Sequence, residues 1–213
     1  MIILKNPKNK DYFELKKLWK TCFDEKQEAL DLFFEKAMEF TDVYCAILDE
    51  KIVSALYLIK STLNGKNAHY IFAVATLPDY RKRGIMGELM EYALEDSKRC
   101  GDAYSLLFPA NEKLYDFYEK FGYTSNCTAS IAEINRMDIK GKNSFDECDF
   151  QKLQKECFKN NFLLRNNNFI EFAKDYYKIY GVKVVQSNSA FALIDEKEDR
   201  AEIFYSVYTD FSN

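Results

Sequence analysis

Three consecutive cationic residues and two glycines lie within one short segment of the sequence, at Arg81, Lys82, Arg83, Gly84 and Gly87. A glycine at the start of a helix lets phosphate oxygens reach backbone N–H groups that have no helical acceptor. The helix dipole favours negative charge at the same place. The segment therefore predicts a cradle for a pyrophosphate group. An ordinary basic turn between a strand and a helix is the alternative.

The stretches on either side of this segment supply the elements that a cradle needs. Residues 70–77 are rich in β-branched and aromatic side chains and end at Pro78, as expected of a strand. Beyond the glycines, apolar residues recur at helical spacing. They are Met86, Leu89, Met90, Ala93 and Leu94. The pattern predicts a helix that begins inside the cradle.

A second segment that could do chemistry follows another strand-like stretch, residues 103–109. Residues 111–123 predict a helix opened by Asn111, which is a favourable capping residue. Tyr118 on this helix carries a phenol that can donate a proton in catalysis. Core packing is the alternative for Tyr118, because several neighbours make the same helix face apolar. These neighbours are Leu114, Phe117 and Phe121.

Taken together, the two segments resemble the GNAT superfamily of acetyl-CoA-dependent N-acetyltransferases. In the family's cradle an Arg or Gln is followed after two residues by Gly and, one residue further, by Gly or Ala. Arg81 and Gly84 fit this pattern, whereas Met86 holds the last position and Gly87 follows it. The family's downstream pattern is matched at Asn111, Tyr118, Glu119, Lys120, Gly122 and Tyr123. The resemblance covers the chain from its first residues to the strand expected after Gly122.

This resemblance implies a co-substrate and a set of site residues. The expected co-substrate is acetyl-CoA, whose acetyl group would pass to a primary amine by direct attack, without a metal. Tyr118 would act as the general acid that protonates the departing CoA thiolate. The residues expected to bind acetyl-CoA are Val74, Ala75, Thr76, Arg81, Lys82, Arg83, Gly84, Ile85, Met86, Gly87 and Asn111. Asn111 would bond the pantetheine arm, cap its helix, or do both.

The reaction also needs an oxyanion donor and a base. A backbone N–H near residues 75–77 would stabilise the negative oxygen that develops on the thioester carbonyl. The attacking amine must be neutral, although a free alkyl amine has a pKa of about 10. His69, the single histidine, has a suitable intrinsic pKa but lies at the far end of its strand from the cradle. Glu28, Glu35 or a chain of water molecules are equal alternatives, so the sequence leaves the base open.

Composition and charge limit the partners. The net charge of −4 and the pI of about 5.3 argue against nucleic acid, which needs a clustered basic face, and weakly suit a cationic amine. No apolar run approaches the roughly 20 residues of a membrane span and no signal peptide is evident, so a cytoplasmic protein without a membrane partner is expected. The six cysteines show no paired spacing, which favours reduced, mostly buried thiols over a zinc site.

The order of the elements predicts an α/β fold with a mixed sheet. It reads strand, two helices, three strands, helix, strand, helix and strand, followed by a separate tail. Two strand–helix units after a hairpin imply that part of the sheet is parallel. By resemblance, this is the GNAT-like acyl-CoA N-acyltransferase fold. We expect an acetyltransferase domain over residues 1–140 and a small α/β appendage over residues 141–213.

The appendage carries an apolar helical stripe after Asn166. Its members are Phe169, Phe172, Ala173, Tyr176, Tyr177 and Tyr180. Such a stripe must be covered, either by the first domain or by another copy of the chain in a homodimer. Residues 191–197 also echo residues 45–51, which indicates a truncated second GNAT-like unit without a cradle. Coincidence between two common turn sequences is the alternative.

The sequence leaves two questions of function open. The acceptor is a small-molecule or peptide amine, and an antibiotic, a polyamine, an amino acid and a protein N-terminus all fit. A non-catalytic CoA-binding regulatory or interaction module is the alternative to an enzyme, because no base is identified.

Overall fold

The computed structural model describes residues 1–125, 150–157, 163–187, 190–197 and 201–208. The elements of the first range are β1 (Ile2–Lys5), α1 (Tyr12–Cys22), α2 (Gln27–Leu32), β2 (Thr41–Leu48), β3 (Lys51–Leu63), β4 (Lys66–Thr76), α3 (Ile85–Arg99), β5 (Tyr104–Leu106) and α4 (Tyr115–Glu119). A π-helical turn, Phe33–Ala37, and a 3-10 turn, Met38–Phe40, continue α2. The order agrees with the sequence-based prediction. The strand expected after Gly122 and the domain boundary expected near residue 140 lie outside the described residues.

These strands form one mixed sheet in the order β1-β2-β3-β4-β5. All neighbours are antiparallel except β4 and β5, which are parallel because α3 carries the chain back to the other end of the sheet. The predicted α/β class with a partly parallel sheet is therefore confirmed.

Helices cover both faces of the sheet, since alternate residues of each strand point to opposite sides. One face packs against α1 and α2, where Trp19 lies 4.8 Å from Phe33 and 4.9 Å from Tyr57 between ring centres. The other face packs against α3 and α4 through buried Leu89 and Tyr118. The apolar sides of α1 and α2 are thus part of the core.

A polar network ties the first strand to α3. The Lys5 ammonium donates to Asp96 Oδ2 at 2.6 Å, and the Tyr44 hydroxyl donates to the same oxygen at 2.8 Å. Arg99 also donates to this carboxylate, at 3.1 Å to Oδ1. The network lies far along α3 from the cradle and serves the fold.

The appendage has its own small sheet and also joins the first one. Its elements are α5 (Phe150–Cys157), β6 (Leu163–Leu164), α6 (Asn167–Lys178), β7 (Lys183–Ser187), β8 (Ala190–Glu196) and β9 (Ala201–Tyr208). Strands β7, β8 and β9 form an antiparallel sheet, whereas β6 pairs with the end of β3. The side chain of Asn166 caps α6 by accepting from the Phe169 N–H at 2.7 Å.

Helix α6 docks on the core of the first domain. The Phe172 ring is buried 5.8 Å from Phe33 and 6.1 Å from Phe40, measured between ring centres. The expectation that the tail packs on the first domain is therefore confirmed for α6. The domain boundary near residue 140 and the repeat of residues 45–51 in the tail stay predictions.

No helix within the described ranges is both long and apolar enough to cross a membrane.

Of the three cysteines whose side chains are described, Cys45 is buried, Cys22 is half-buried and Cys100 is exposed. Cys100 is an exposed exception to the expected mostly buried thiols, and it lies just beyond the end of α3, where the chain turns at the surface.

Candidate functional site

The predicted cradle is a loop that ends in the first turn of α3. Gly84 precedes the helix with a φ of 80°, and Lys82 also has a positive φ, 60°. Within the described part of the chain, the N–H groups of residues 82–87 donate to no backbone acceptor, and the first helical bond runs from the Glu88 N–H to the Gly84 carbonyl. This row of unpaired donors at a helix N-terminus is suited to an anionic group.

Two of the three cationic side chains of the loop, Arg81 and Arg83, donate hydrogen bonds to nearby backbone carbonyl groups. Arg81 Nε donates to the Thr76 carbonyl at 2.9 Å, and Arg83 donates through Nη2 to the Asp79 carbonyl at 2.6 Å. The Arg83 guanidinium also lies 5.2 Å from the centre of the Tyr80 ring. The backbone N–H groups therefore carry the capacity to bind phosphate, while the cations supply a positive potential around them.

The other residues of the cradle differ in what they present. Ile85 is buried in the core beneath α3 and Met86 is partly buried beside it, so their contribution is the backbone N–H. Gly87 faces open space, because a Cβ built on it would meet no atom within 4 Å. The start of α3 is thus open on the side of Gly84 and Gly87, whereas the side chain of Ile85 packs into the core.

Strand β4 carries a bulge next to the cradle. Phe72 pairs with Tyr57 and Ala75 pairs with Ala55, so Ala73 and Val74 together face one residue of β3. Ala73 has a φ of 46°, a strained conformation for alanine. A bulge takes one residue out of the regular ladder, so its backbone polar groups are available to a ligand.

The bulge lies just beyond the point on β4 where the pairing with β5 ends. The two strands pair only from Ala68 to Tyr70 of β4, opposite Tyr104 to Leu106 of β5. Beyond Tyr70, no strand within the described residues pairs with the edge of β4 that faces β5. The Thr76 carbonyl points away from β3, to this side, and accepts a hydrogen bond from Arg81.

The Leu77 N–H, in contrast, points to β3 and donates to the Val53 carbonyl at 2.9 Å. Leu77 is therefore not a free oxyanion donor, and the bulge residues are the better candidates.

Tyr118 lies on α4 next to this opening. Its side chain is 7% exposed, and its ring centre lies 5.2 Å from Phe117 and 5.9 Å from Tyr123. Burial raises the pKa of Tyr118, and the neighbouring Tyr70 raises it further. The phenol therefore keeps its proton at neutral pH. Tyr118 thus packs in the core together with Val74, one of the two bulge residues of β4.

Asn111 takes the capping role that its residue type predicts. Its Oδ1 accepts from the Lys113 N–H at 3.1 Å at the start of the turn that leads into α4. The residue is exposed, so the same side chain can also be reached by a ligand.

None of the three residues considered for the base lies at the opening. His69 is 2% exposed, and its Nδ1 is 2.7 Å from Asp102 Oδ2. It shares a face of β4 with Ile71, toward α3, and its Nε2 is buried without a partner in the described part of the protein. Glu28 and Glu35 are exposed on α2 and the turn after it.

Sequence reasoning did not predict that Arg165 of the appendage lies beside Tyr70 of β4. Tyr70 ends the β4–β5 pairing, and the guanidinium of Arg165 lies 5.1 Å from the centre of its ring. Burial raises the pKa of Tyr177 of α6, Tyr70 raises it further, and the Arg165 charge lowers it. No spacing in the sequence links the three, because only the folded tail brings them together.

The described ranges contain no cluster of three or more His, Cys, Asp and Glu side chains that could hold a metal ion.

Comparison with known proteins relates this geometry to a family. Residues 4–125 match the family model described as "Acetyltransferase (GNAT) domain", which is more than half of the chain. The match spans the cradle, the opening and Tyr118. No curated protein matches the sequence.

Several solved structures share the fold. A protein of Enterococcus faecalis V583 described as "Probable N-Acyltransferase" has 17% identity and a TM-score of 0.69; the match covers 98% of this chain and 58% of that one. Ribosomal-protein-alanine N-acetyltransferase from Brucella melitensis biovar Abortus 2308 has 15% identity and a TM-score of 0.51, covering 63% and 100%. AAC(6')-Iy, solved with a bisubstrate analogue of CoA and acetylneamine, has 13% identity and a TM-score of 0.54, covering 63% and 97%. At these identities the likeness shows a common fold, which in the first case includes the appendage.

Proposed function

The chain belongs to the GNAT acetyltransferases, and on that premise we propose that it transfers the acetyl group of acetyl-CoA to the nitrogen of a primary amine. One observation carries the proposal. The unpaired N–H groups of residues 82–87 lie at the start of α3, and Tyr118 packs in the same buried cluster as Ile85 of that helix start and Val74 of the β4 bulge. The first suits a pyrophosphate and the second a thiolate leaving group, which are two parts of one CoA molecule.

The cradle would hold the pyrophosphate of acetyl-CoA. The unpaired N–H groups at the start of α3 donate to its oxygens, and the helix dipole together with Lys82 and Arg83 adds favourable potential. Gly84 and Gly87 leave the space above the turn open. The pantetheine arm would then run into the opening past Asn111, whose exposed side chain can bond to it.

The bulge of β4 would polarise the thioester. A backbone N–H at Ala73 or Val74, outside the regular ladder, donates to the carbonyl oxygen and stabilises the negative charge that develops on it. Such a donor is held in place before the reaction, so it needs no reorganisation in the transition state.

Tyr118 would complete the transfer. The amine nitrogen attacks the carbonyl carbon, the C–S bond breaks, and the Tyr118 hydroxyl gives its proton to the sulfur. The proton lost by the nitrogen restores the phenol, so amide and free thiol are the only products. Burial raises the pKa of Tyr118, which keeps the group protonated for this task.

The experiment is acetyl transfer onto a panel of amines, with acetylated product detected by mass spectrometry. The panel contains an aminoglycoside, a polyamine, a free amino acid and a peptide with an unblocked N-terminus. Mass detection is preferable to thiol reagents, because the exposed Cys100 would react with them. Calorimetry with acetyl-CoA is run in parallel. Tight binding of acetyl-CoA without transfer to any amine would contradict the enzyme and favour a CoA-binding regulatory module.

A further inference from the structure

The last residues of β4, directly after the bulge, are held on the edge that faces β3. The Leu77 N–H donates to the Val53 carbonyl at 2.9 Å. Ser54 of β3, which is fully buried, donates to the Ala75 carbonyl at 3.0 Å, and its hydroxyl also lies 2.8 Å from Thr76 Oγ1. The bulge is therefore anchored to β3 at its C-terminal side.

The opposite edge of β4 is held through the Thr76 carbonyl. This carbonyl accepts from Arg81 Nε at 2.9 Å and from the Cys22 thiol at 3.4 Å. Arg81 Nη2 in turn donates to Cys22 Sγ at 3.8 Å. Two donors of one planar guanidinium are thus engaged, which fixes its orientation. The three residues form a closed set of contacts that joins the cradle loop, the end of α1 and the end of β4.

The edge that Arg81 holds is also the edge on which the bulge presents a donor. In an extended strand the N–H and C=O of one residue point to the same edge, and those of the next residue point to the other. Val74 to Thr76 belong to β4, and the Thr76 carbonyl points away from β3. The Val74 N–H, two residues earlier, therefore points away from β3 as well. Val74 packs in the same buried cluster as Tyr118, so this N–H is the donor nearest to the proposed acid.

We propose that Arg81 is a positioning residue for the acetyl transfer: its bond to the Thr76 carbonyl fixes the direction of the Val74 N–H, which donates to the thioester oxygen. The inference rests on the proposed function, because it concerns the oxyanion of that reaction. An oxyanion donor is effective only where the charge develops, and a misplacement of about 1 Å can cost about a hundredfold in rate. Arg81 thus acts on the reaction through β4, and the pyrophosphate is left to the backbone N–H groups of residues 82–87.

The test separates binding from turnover in Arg81→Met, which removes the guanidinium and keeps an unbranched side chain. The acceptor is the amine of the panel above that the wild-type protein acetylates fastest. At saturating acetyl-CoA and acceptor, kcat should fall by at least about tenfold, because the oxyanion donor is no longer held in place. The dissociation constant of acetyl-CoA, measured by calorimetry, should change by less than about threefold.

Arg81→Gln is the conservative variant. The Gln amide nitrogen is the same number of bonds from the backbone as Arg Nε, so it can donate to the Thr76 carbonyl without carrying a charge. It should keep kcat within about threefold of the wild type. Equal losses of kcat in Arg81→Met and Arg81→Gln would assign the effect to charge and overturn the inference. A lower midpoint of thermal unfolding with unchanged kcat in both variants would show a merely structural role and also overturn it.

A donor that lacks the pyrophosphate gives an independent measurement. With S-acetylpantetheine, Arg81→Met should lower kcat/KM about as much as it does with acetyl-CoA, because β4 acts on the thioester that both donors share. Arg83→Met is the matched comparison, since Arg83 also donates to a backbone carbonyl, that of Asp79, but has no such bond to β4. Its effect should be larger with acetyl-CoA than with S-acetylpantetheine.

Two results would assign Arg81 to the pyrophosphate and overturn the inference alone. One is a loss of acetyl-CoA affinity in Arg81→Met with kcat retained. The other is the same dependence on the donor for Arg81→Met as for Arg83→Met. Failure of the wild-type protein to acetylate any amine would overturn the proposed function as well.

Discussion

The hydroxyl of Tyr176 donates a 2.6 Å hydrogen bond to Glu25 Oε2, joining α6 to the segment that follows α1. The Lys26 ammonium reinforces the contact by donating to the Ile179 carbonyl at 2.9 Å. Burial and the neighbouring carboxylate raise the pKa of Tyr176, so the phenol remains a donor throughout the accessible pH range. Helix α6 therefore contacts the first domain at its C-terminal end, through these hydrogen bonds, as well as at its centre, through Phe172.

Phe172→Ala should destabilise the first domain and not the tail alone. Phe172 is 6% exposed and packs on Phe33, which in turn contacts Trp19, the only tryptophan. Truncating such a buried ring costs about 3–5 kcal/mol. Urea unfolding followed by tryptophan fluorescence measures the effect, because Trp19 reports the first domain.

The control for this prediction is Val185→Ala, on the exposed side of β7, which should change the free energy of unfolding by no more than about 0.5 kcal/mol. A fluorescence transition that Phe172→Ala leaves unmoved would contradict the docking of α6 on the first core.

The sequence predicted those features of the fold that depend on local patterns. The apolar stripe of α6, with Phe172 and Ala173 buried, and the glycine before α3 each follow from residue type and spacing, and the structure agrees with both. The parallel pairing of β4 and β5 follows from a strand, a helix and a second strand in that order.

The rest of the site depends on contacts that no local pattern encodes. The bulge at Ala73 uses an ordinary alanine at a φ of 46°, so residue type gives no sign of it. Arg165 reaches Ser61 across 104 residues of sequence, and only the pairing of β6 with β3 brings them together. The contact between Arg165 of the appendage and Ser61 of β3 is therefore visible only in the folded chain.

Gly84→Val should weaken acetyl-CoA binding by at least about tenfold, or about 1.4 kcal/mol, in a protein that still folds. A Cβ at Gly84 meets no protein atom within 4 Å, so the new side chain would occupy the space expected for phosphate. The residue also has a φ of 80°, which adds backbone strain of about 1–2 kcal/mol. Isothermal titration with acetyl-CoA gives the affinity.

Gly65→Val is the matched control, because Gly65 has a φ of 73° and equally open surroundings but lies in the turn between β3 and β4. It should lose similar stability and keep its affinity for acetyl-CoA. Equal affinities for the two variants would rule out the cradle as the pyrophosphate site.

The free energy of unfolding should fall as the pH drops from about 6.5 to 5. Burial lowers the pKa of His69 although Asp102 opposes the shift, and a proton on the buried Nε2 would find no acceptor in the described residues. The unfolded chain, with a histidine pKa of about 6.5, then binds the proton first. Stability is therefore full above about pH 6.5 and declines below it, by up to about 1.4 kcal/mol per pH unit.

Because His69 is the only histidine, His69→Gln tests the assignment directly. Urea unfolding at several pH values should show a flat profile for the variant in this window, whatever its overall stability. A wild-type profile that is already flat between pH 7 and 5 would mean that burial does not perturb His69.

Tyr118 has two candidate roles, and they predict opposite effects of the same substitution. Tyr118→Phe removes the hydroxyl and keeps the ring, so the packing on Phe117 and Tyr123 should survive. Tyr44→Phe removes a buried hydroxyl that bonds to Asp96, away from the opening, and serves as the control. It should cost about 1 kcal/mol of stability and leave kcat unchanged in the folded fraction.

If Tyr118 protonates the departing thiolate, Tyr118→Phe should lower kcat by about a hundred- to ten-thousandfold with little change in acetyl-CoA affinity, because general acid catalysis contributes on that scale. Steady-state kinetics with the best amine of the panel, together with calorimetry, separates the two quantities. Since burial raises the pKa of Tyr118, ionisation of this residue should not limit kcat below about pH 10. A variant that keeps more than about half of the wild-type kcat would show that water or another residue supplies the proton, and Tyr118 would then be a core residue.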